Sequence, residues 1–319
     1  MANSEPEPRK LIRFGNSSYI VSLPKDWINK HKLKKGDLIY LSENSDNEIV
    51  ITSKKQSSEK EFTSIKIDVD GKDIGELKRE LTSAYVSSYD EIILEGKTLN
   101  EKYNKIIYEN IGVEVFEQTP IKRILKDILD TDAISIEKII RRMDNIVRSM
   151  FEDLRTGLQQ EVFKEWHYKE IRRADEEVNK LYFLLLKIAR KGLQDSKAAQ
   201  QLKSNSKDLA DIQLIILHLE MIGDELKRIA RILSTNRLNT GERKDLLDII
   251  NTIEKNYNET FTAYYTLDKK AAGKVAESKE HQFRLCEKYS ENNKNSSLVA
   301  EKIRGIVASV HNLAKIVAY

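Results

Sequence analysis

From Asp132 to Tyr319 apolar residues recur every three or four positions, the period of an amphipathic helix rather than of a strand. No other feature restricts the fold as much. The pattern predicts helices at about 133–159, 164–193, 206–235, 241–268, 270–291 and 297–319. "SNSKDL", "NTGERK" and "ENNKNSS" supply the breaks and caps between them. Long helices with short connections bury their apolar stripes only against one another, so this region is a helical bundle or two. A repeat sharpens the reading. Leu219, Ile222, Leu226, Ile229 and Leu233 form a 3-4-3-4 stripe, and 84 residues later Ile303, Ile306, Val310, Leu313 and Val317 repeat it, with Ala230 finding Ala314. The two stripes end two three-helix sets, which points to a duplicated three-helix bundle.

The first third of the chain has other periods. In residues 9–53, "KLIRFG", "SYIVSL", "KKGDLIYLSE" and "NSDNEIVITS" read as four short strands, and Pro24 is placed to open a short helix. Strands this few and short cannot bury a core alone, so the segment is expected to dimerise. "KKQSSEKE" at 54–61 is a polar linker. Residues 62–127 alternate strand, helix, strand, helix and strand, from "FTSIKIDV" to "VEVFEQ", as a small α/β unit without a glycine-rich phosphate loop.

Charge is unevenly spread. Residues 8–35 hold Arg9, Lys10, Arg13, Lys25, Lys30, Lys32, Lys34 and Lys35 against Asp26 alone, although the whole chain carries only +3. A basic module on a mildly acidic body points to an anionic polymer as the partner of the N-terminal segment. Cys286 is the only cysteine, so no internal disulfide forms, and "MANSEPEPRK" lacks the apolar stretch of a signal peptide. Both favour a cytoplasmic protein with no membrane insertion. His31, His167, His218, His281 and His311 show no zinc-type spacing, and no nucleophile–base pair, nucleotide loop or closed metal set is found. The expectation is a protein that is not an enzyme.

"LEMIGDELKRIARIL" (219–233) poses a puzzle. Gly223 inside a helix costs about 1 kcal/mol relative to alanine, and Glu220 and Asp224 set like charges one turn apart. A helical wheel puts both acids nearly opposite the leucine stripe, on an outer face. There Lys227 and Arg228 can relieve Asp224 as an ordinary solvated surface. Alternatively, carboxylates one turn apart offer oxygen ligands to a cation. Gly223 fits either case, as a small residue on the flank where a neighbouring helix can come close.

The same stretch resembles the end-of-bundle signature of the PhoU family of phosphate-signalling proteins, and "RRADEEVNKLYFLLL" (172–186) is similar to that family's second-helix pattern. The resemblance implies E-x-x-x-D metal sites on two three-helix bundles. It carries over to Glu220, Asp224 and Asp175 as ligands of a divalent or ferric ion (iron, zinc, manganese or magnesium). This sequence departs from the pattern at Asn179, where the family prefers an acid. Arg304 and Ala308 stand in the second half where Glu220 and Asp224 stand in the first. Glu277 and His281 are weaker counterparts of Asp175 and Asn179.

"RKLIRFGNSSYIVSLPKDWINKHKLKKGDLIYLSE" resembles an AbrB/SpoVT swapped-hairpin domain, through Gly15, Ser17, Tyr19, Val21, Ser22, Leu23, Pro24, Lys25 and Trp27. That resemblance implies a homodimer whose interleaved barrel contacts DNA, with Arg9, Lys10, Arg13, Ser17, Lys25 and Lys30 as the DNA-binding residues. The whole order is similar to archaeal phosphate uptake regulators. The implied fold class is multidomain α+β. It comprises a swapped-hairpin β-barrel half at 1–55, a small α/β domain at 56–130, a first PhoU-like three-helix bundle at 131–236 and a second, degenerate one at 237–319. The implied function is regulation of phosphate uptake, with a phosphate transporter ATPase or a sensor kinase as signalling partner. A non-DNA-binding adaptor of the transporter, whose N-terminal domain only dimerises, is the alternative.

Overall fold

The computed structural model describes residues 7–43, 48–53, 62–130, 134–292 and 297–319. The chain divides into two units, residues 1–61 and 62–319. The linker at 54–61, the turn at 44–47 and the expected domain boundary at 131 lie outside the described residues.

In the first unit, β1 (Ile12–Phe14) pairs antiparallel with β2 (Ser18–Ile20), and α1 (Lys25–Lys30) starts after Pro24 as its fixed φ allows. A turn closed by Lys34 N–H donating to Asp37 Oδ2 (2.7 Å), with Gly36 at positive φ, leads to β3 (Tyr40–Glu43), which pairs with β4 (Ile49–Thr52). The two hairpins are separate two-stranded sheets; among the described residues no closed barrel forms. None of the described residues of this unit is buried.

The second unit opens with an α/β layer: β5 (Ser64–Asp68), α2 (Ile74–Val86), β6 (Glu91–Glu95), α3 (Tyr103–Ile107), β7 (Val113–Thr119) and β8 (Lys122–Asp127). The sheet order is β5-β6-β8-β7, with β5 parallel to β6 and the other pairs antiparallel. The last strand, β8, is additional to the sequence reading and sits in the middle of the sheet. One sheet face packs Ile67, Ile92, Leu94 and Leu125 against Leu77, Leu81 and Tyr85 of α2.

The helical part follows the expected period. It comprises α4 (Ile136–Gln159), α5 (Glu165–Gln194), α6 (Ser196–Gln201), α7 (Ser206–Thr235), α8 (Thr240–Thr266), α9 (Lys269–Glu277), α10 (Lys279–Asn292) and α11 (Ser297–Ala318). Asn205 caps α7 and Asn239 caps α8, each through a reciprocal capping box with Asp208 and Glu242. Two details correct the expectation. The short α6 lies between α5 and α7, and the helix expected at 270–291 breaks at Ser278, whose hydroxyl donates to Val275 O (2.9 Å) and accepts from Asn256 Nδ2 (3.1 Å). Side-chain bonding of this kind competes with the helical ladder.

The repeated stripes are core. Leu219, Ile222, Leu226, Ile229 and Leu233 are buried, as are Ile303, Ile306, Val310 and Leu313, while Val317 is half-buried. Both sets belong to one continuous apolar cluster, so the two halves of the duplication share a core. At Gly305 a Cβ would lie 3.3 Å from Glu225 Cγ, which shows how closely α11 approaches α7.

Candidate functional site

The acids singled out on α7 meet α5 in a seam. Asp175, on α5, is only 3% exposed. Lys227 reaches from α7 across the seam, its Nζ 2.7 Å from Asp175 Oδ2 and 2.5 Å from Asp224 Oδ1. Arg228 donates to Asp224 Oδ2 (2.8 Å) and to Glu225 Oε1 (2.7 Å). Asn179, one turn along α5, donates from Nδ2 to Asp175 Oδ2 (3.2 Å). Asp175 Oδ1 is buried and accepts no hydrogen bond within the described protein.

Glu220 is half-buried in this seam. Burial, followed by the neighbouring charges of Asp224 and Asp175, pushes its pKa up to about 7, against the opposing pull of Lys227 and Arg228. Its charge also raises the pKa of Tyr182 on α5, where burial acts first. Burial raises the Asp175 pKa despite the Lys227 hydrogen bond. For Lys227, burial works against the charge, but the bonds to Asp175 and Asp224 outweigh it and hold the ammonium protonated.

The wheel placed Glu220 and Asp224 on an outer face; the structure corrects this, because α5 covers that flank of α7. Relief of Asp224 by Lys227 and Arg228 is present as expected. Gly223 is buried, yet a Cβ there would be 3.7 Å from Met150 Cε and 3.8 Å from Asp175 Oδ1, ordinary contact distances. Close helix approach therefore does not demand glycine at this position.

The implied metal can be tested against this arrangement. The oxygens of Asp175 and Asp224 that would converge on an ion converge on the Lys227 ammonium. Among the described residues no group of three or more His, Cys, Asp or Glu side chains is disposed to hold a metal. In the second half, Arg304 pairs with Glu287 (3.7 Å) and lies over the Phe283 ring (5.2 Å), while Glu277 and His281 are exposed on either side of the Ser278 break. As they stand, these residues do not fit an ion.

The basic residues described in the first unit are exposed. Arg9 pairs with Glu7 (2.6 Å), and Arg13 Nε donates to Gly15 O (3.3 Å) beside the turn that carries Ser17. Lys25 and Lys30 open and close α1. Phe14, Ile20, Leu38 and Leu41 stand in solvent on the same unit.

Two charged clusters escaped the sequence reading. Asp144, 2% exposed on α4, accepts from Arg148 Nε (2.8 Å), Tyr257 OH (2.9 Å) and Tyr265 OH (3.0 Å), and Arg148 also bonds Asn258. Lys187, buried on α5, pairs with Asp127 at the end of β8 and lies 4.3 Å over the Tyr85 ring, tying the α/β layer to the bundle. Each interrupts an apolar face, Asp144 between Met143 and Val147, Lys187 between Leu184 and Ile188. A charge on a buried stripe was the available signal.

Comparison with known proteins matches two segments of the chain. Residues 140–233 match the PhoU domain model, which spans most of α4, all of α5 and nearly all of α7. Residues 12–59 match the model described as antidote-toxin recognition MazE, bacterial antitoxin. No curated protein matches the chain. Among solved structures, the crystal structure of PhoU from Pseudomonas aeruginosa is similar at 16% identity and a TM-score of 0.44, over 57% of this chain and 90% of that one. The chain therefore matches the MazE antitoxin model near its N-terminus and the PhoU domain model over part of its helical body.

Proposed function

We propose that this protein is a PhoU-like regulator of phosphate uptake and intracellular phosphate homeostasis, which dimerises through its N-terminal unit and binds DNA there. The PhoU domain at 140–233 supports the phosphate reading. The DNA reading rests above all on one observation: the first unit has no buried residue among those described, while it exposes Leu11, Ile12, Phe14, Tyr19, Leu38 and Leu41 beside a basic segment. Exposed apolar strands of this extent need a covering partner. A second copy offers the same strands in complementary orientation, as an isologous interface requires. Such a dimer doubles the set of Arg9, Lys10, Arg13, Ser17, Lys25 and Lys30. It would contact DNA chiefly through phosphates, since α1 is too short for a recognition helix. The helical body would then carry the signal to a protein partner, the transporter ATPase or a sensor kinase.

A fluorescence-anisotropy titration of the full chain against DNA from upstream of its own gene, repeated over a salt series, tests this. Replacing Arg9, Lys10, Arg13 and Lys25 by alanine is expected to weaken binding evenly across sequences and to flatten the salt slope by roughly one unit per lost phosphate contact. Equal affinity of parent and quadruple variant at every salt concentration would leave only the adaptor reading, in which this unit dimerises and nothing more.

A further inference from the structure

We infer that the Lys227 ammonium is the resident cation of the α5–α7 carboxylate cluster, standing where a metal ion would stand, so that the cluster is held together without metal. The distances carry this. One Nζ lies 2.7 Å from Asp175 on α5 and 2.5 Å from Asp224 on α7, bridging the two helices as a shared ion would. Its partner is no surface acid, because the Asp175 side chain is 5% exposed. The remaining donors complete the substitution: Asn179 replaces an acid with an amide that gives a hydrogen bond to Asp175, and Arg228 takes the far oxygen of Asp224. An ammonium contributes one charge and three donors, which suits two carboxylates. A divalent ion would add its charge to that of Lys227, and it would have to displace the ammonium to reach Asp175 Oδ2.

A second observation shows what removal of Lys227 would uncover. Asp175 Oδ1 is already buried without a donor, and Asp175 and Asp224, whose oxygens both face the ammonium position, would be left without their shared cation. Oxygen ligands of this kind suit a hard cation such as manganese. Taking away the lysine charge while keeping an apolar stem should therefore turn a metal-indifferent seam into a metal-binding one. The inference stands apart from the regulator reading, since its test reads melting and ion binding and not DNA or phosphate.

The experiment uses the full chain, with melting curves in EDTA and in excess manganese and calorimetric titration with manganese. The parent is expected to melt at one temperature in both. Lys227→Met should melt several degrees lower in EDTA and recover with manganese, because an ion that binds only the folded state stabilises it. Adding Asp175→Asn should abolish the recovery. Lys227→Arg, which keeps a cation, should stay close to the parent and remain indifferent to manganese. The inference is overturned if the parent itself binds manganese saturably and loses that binding with Asp175→Asn. It is overturned equally if Lys227→Met folds but ignores the ion, or if Lys227→Arg destabilises as much as Lys227→Met. Should Lys227→Met fold in neither condition, the parent titration and the arginine variant still decide.

Discussion

Glu220 is the acid of this seam whose pKa is pushed to about 7 in the folded chain, against 4.5 for an unperturbed glutamate. Between those values the native state binds more protons than the unfolded state, so stability falls as pH rises through this window. The direction is opposite to that of a carboxylate stabilised by a salt bridge. Glu220→Gln is therefore expected to stabilise the protein above pH 7 by on the order of 1–2 kcal/mol, discounted for partial exposure. The gain should vanish below about pH 4. Urea denaturation of parent and variant across that range would show it, and a difference independent of pH would contradict the assignment of the titration to Glu220. The two oddities of the α7 sequence thus have separate explanations. The Glu220–Asp224 repulsion is met by Lys227 and Arg228, with Glu220 only partly charged near neutrality, whereas Gly223 has no steric need to be glycine.

At the scale of elements, α4 and α8 belong to different halves of the duplication and are joined by a buried polar tie. Asp144 has both oxygens occupied, by Arg148 and Tyr257 on one and Tyr265 on the other. Removing the carboxylate leaves Tyr257 OH, fully buried, with only the Asp144 carbonyl at 3.4 Å as acceptor, and Arg148 without its charge partner. Asp144→Ala is expected to lose about 2–3 kcal/mol, because buried hydroxyls lose their charged acceptor while Arg148, 34% exposed, can turn to solvent. Tyr265→Phe, at a half-buried position, should lose only about 1 kcal/mol. Chemical denaturation gives both numbers, and similar small losses in the two variants would mean that water replaces the tie. The same scale accounts for the split at Ser278: apolar periodicity runs through it, and the break is made by a hydroxyl bonded to Val275 and Asn256.

Over the whole molecule, residues 62–319 own their core, whereas the described residues of 1–61 include none that is buried. The bundle cluster and the α/β cluster meet on α5, where Leu186 packs against both. Among the described residues no helix is long and apolar enough to cross a membrane. Deleting residues 1–61 is accordingly expected to leave the helical circular dichroism and the cooperative melt intact while lowering the mass in solution. Light scattering that gives the truncated and full chains the same number of protomers would remove the N-terminal unit as the dimerisation element.

What the sequence determined by itself is local. Helix positions follow from a 3.6-residue period, and their starts from asparagines that bond backbone only three residues away, so α7 and α8 were legible to within a residue or two. The stripe repeated at 84 residues was legible as core because burial of one helix face is written in that helix alone. β8 was missed because "IKRILKD" carries charge on both of its alternating faces; Arg123 is buried there with bonds to Asn104 and to the Asn100 carbonyl, partners that no alternation pattern reveals. The seam was beyond the sequence for the same reason. One helix pattern says which face turns inward, but not which neighbour covers the flank, or at what rotation. Only the packing of α5 on α7 brings Asp175 to Lys227 across 52 residues of chain, and that contact turns Asp224, read as a surface acid, into one side of a carboxylate pair with its cation built in.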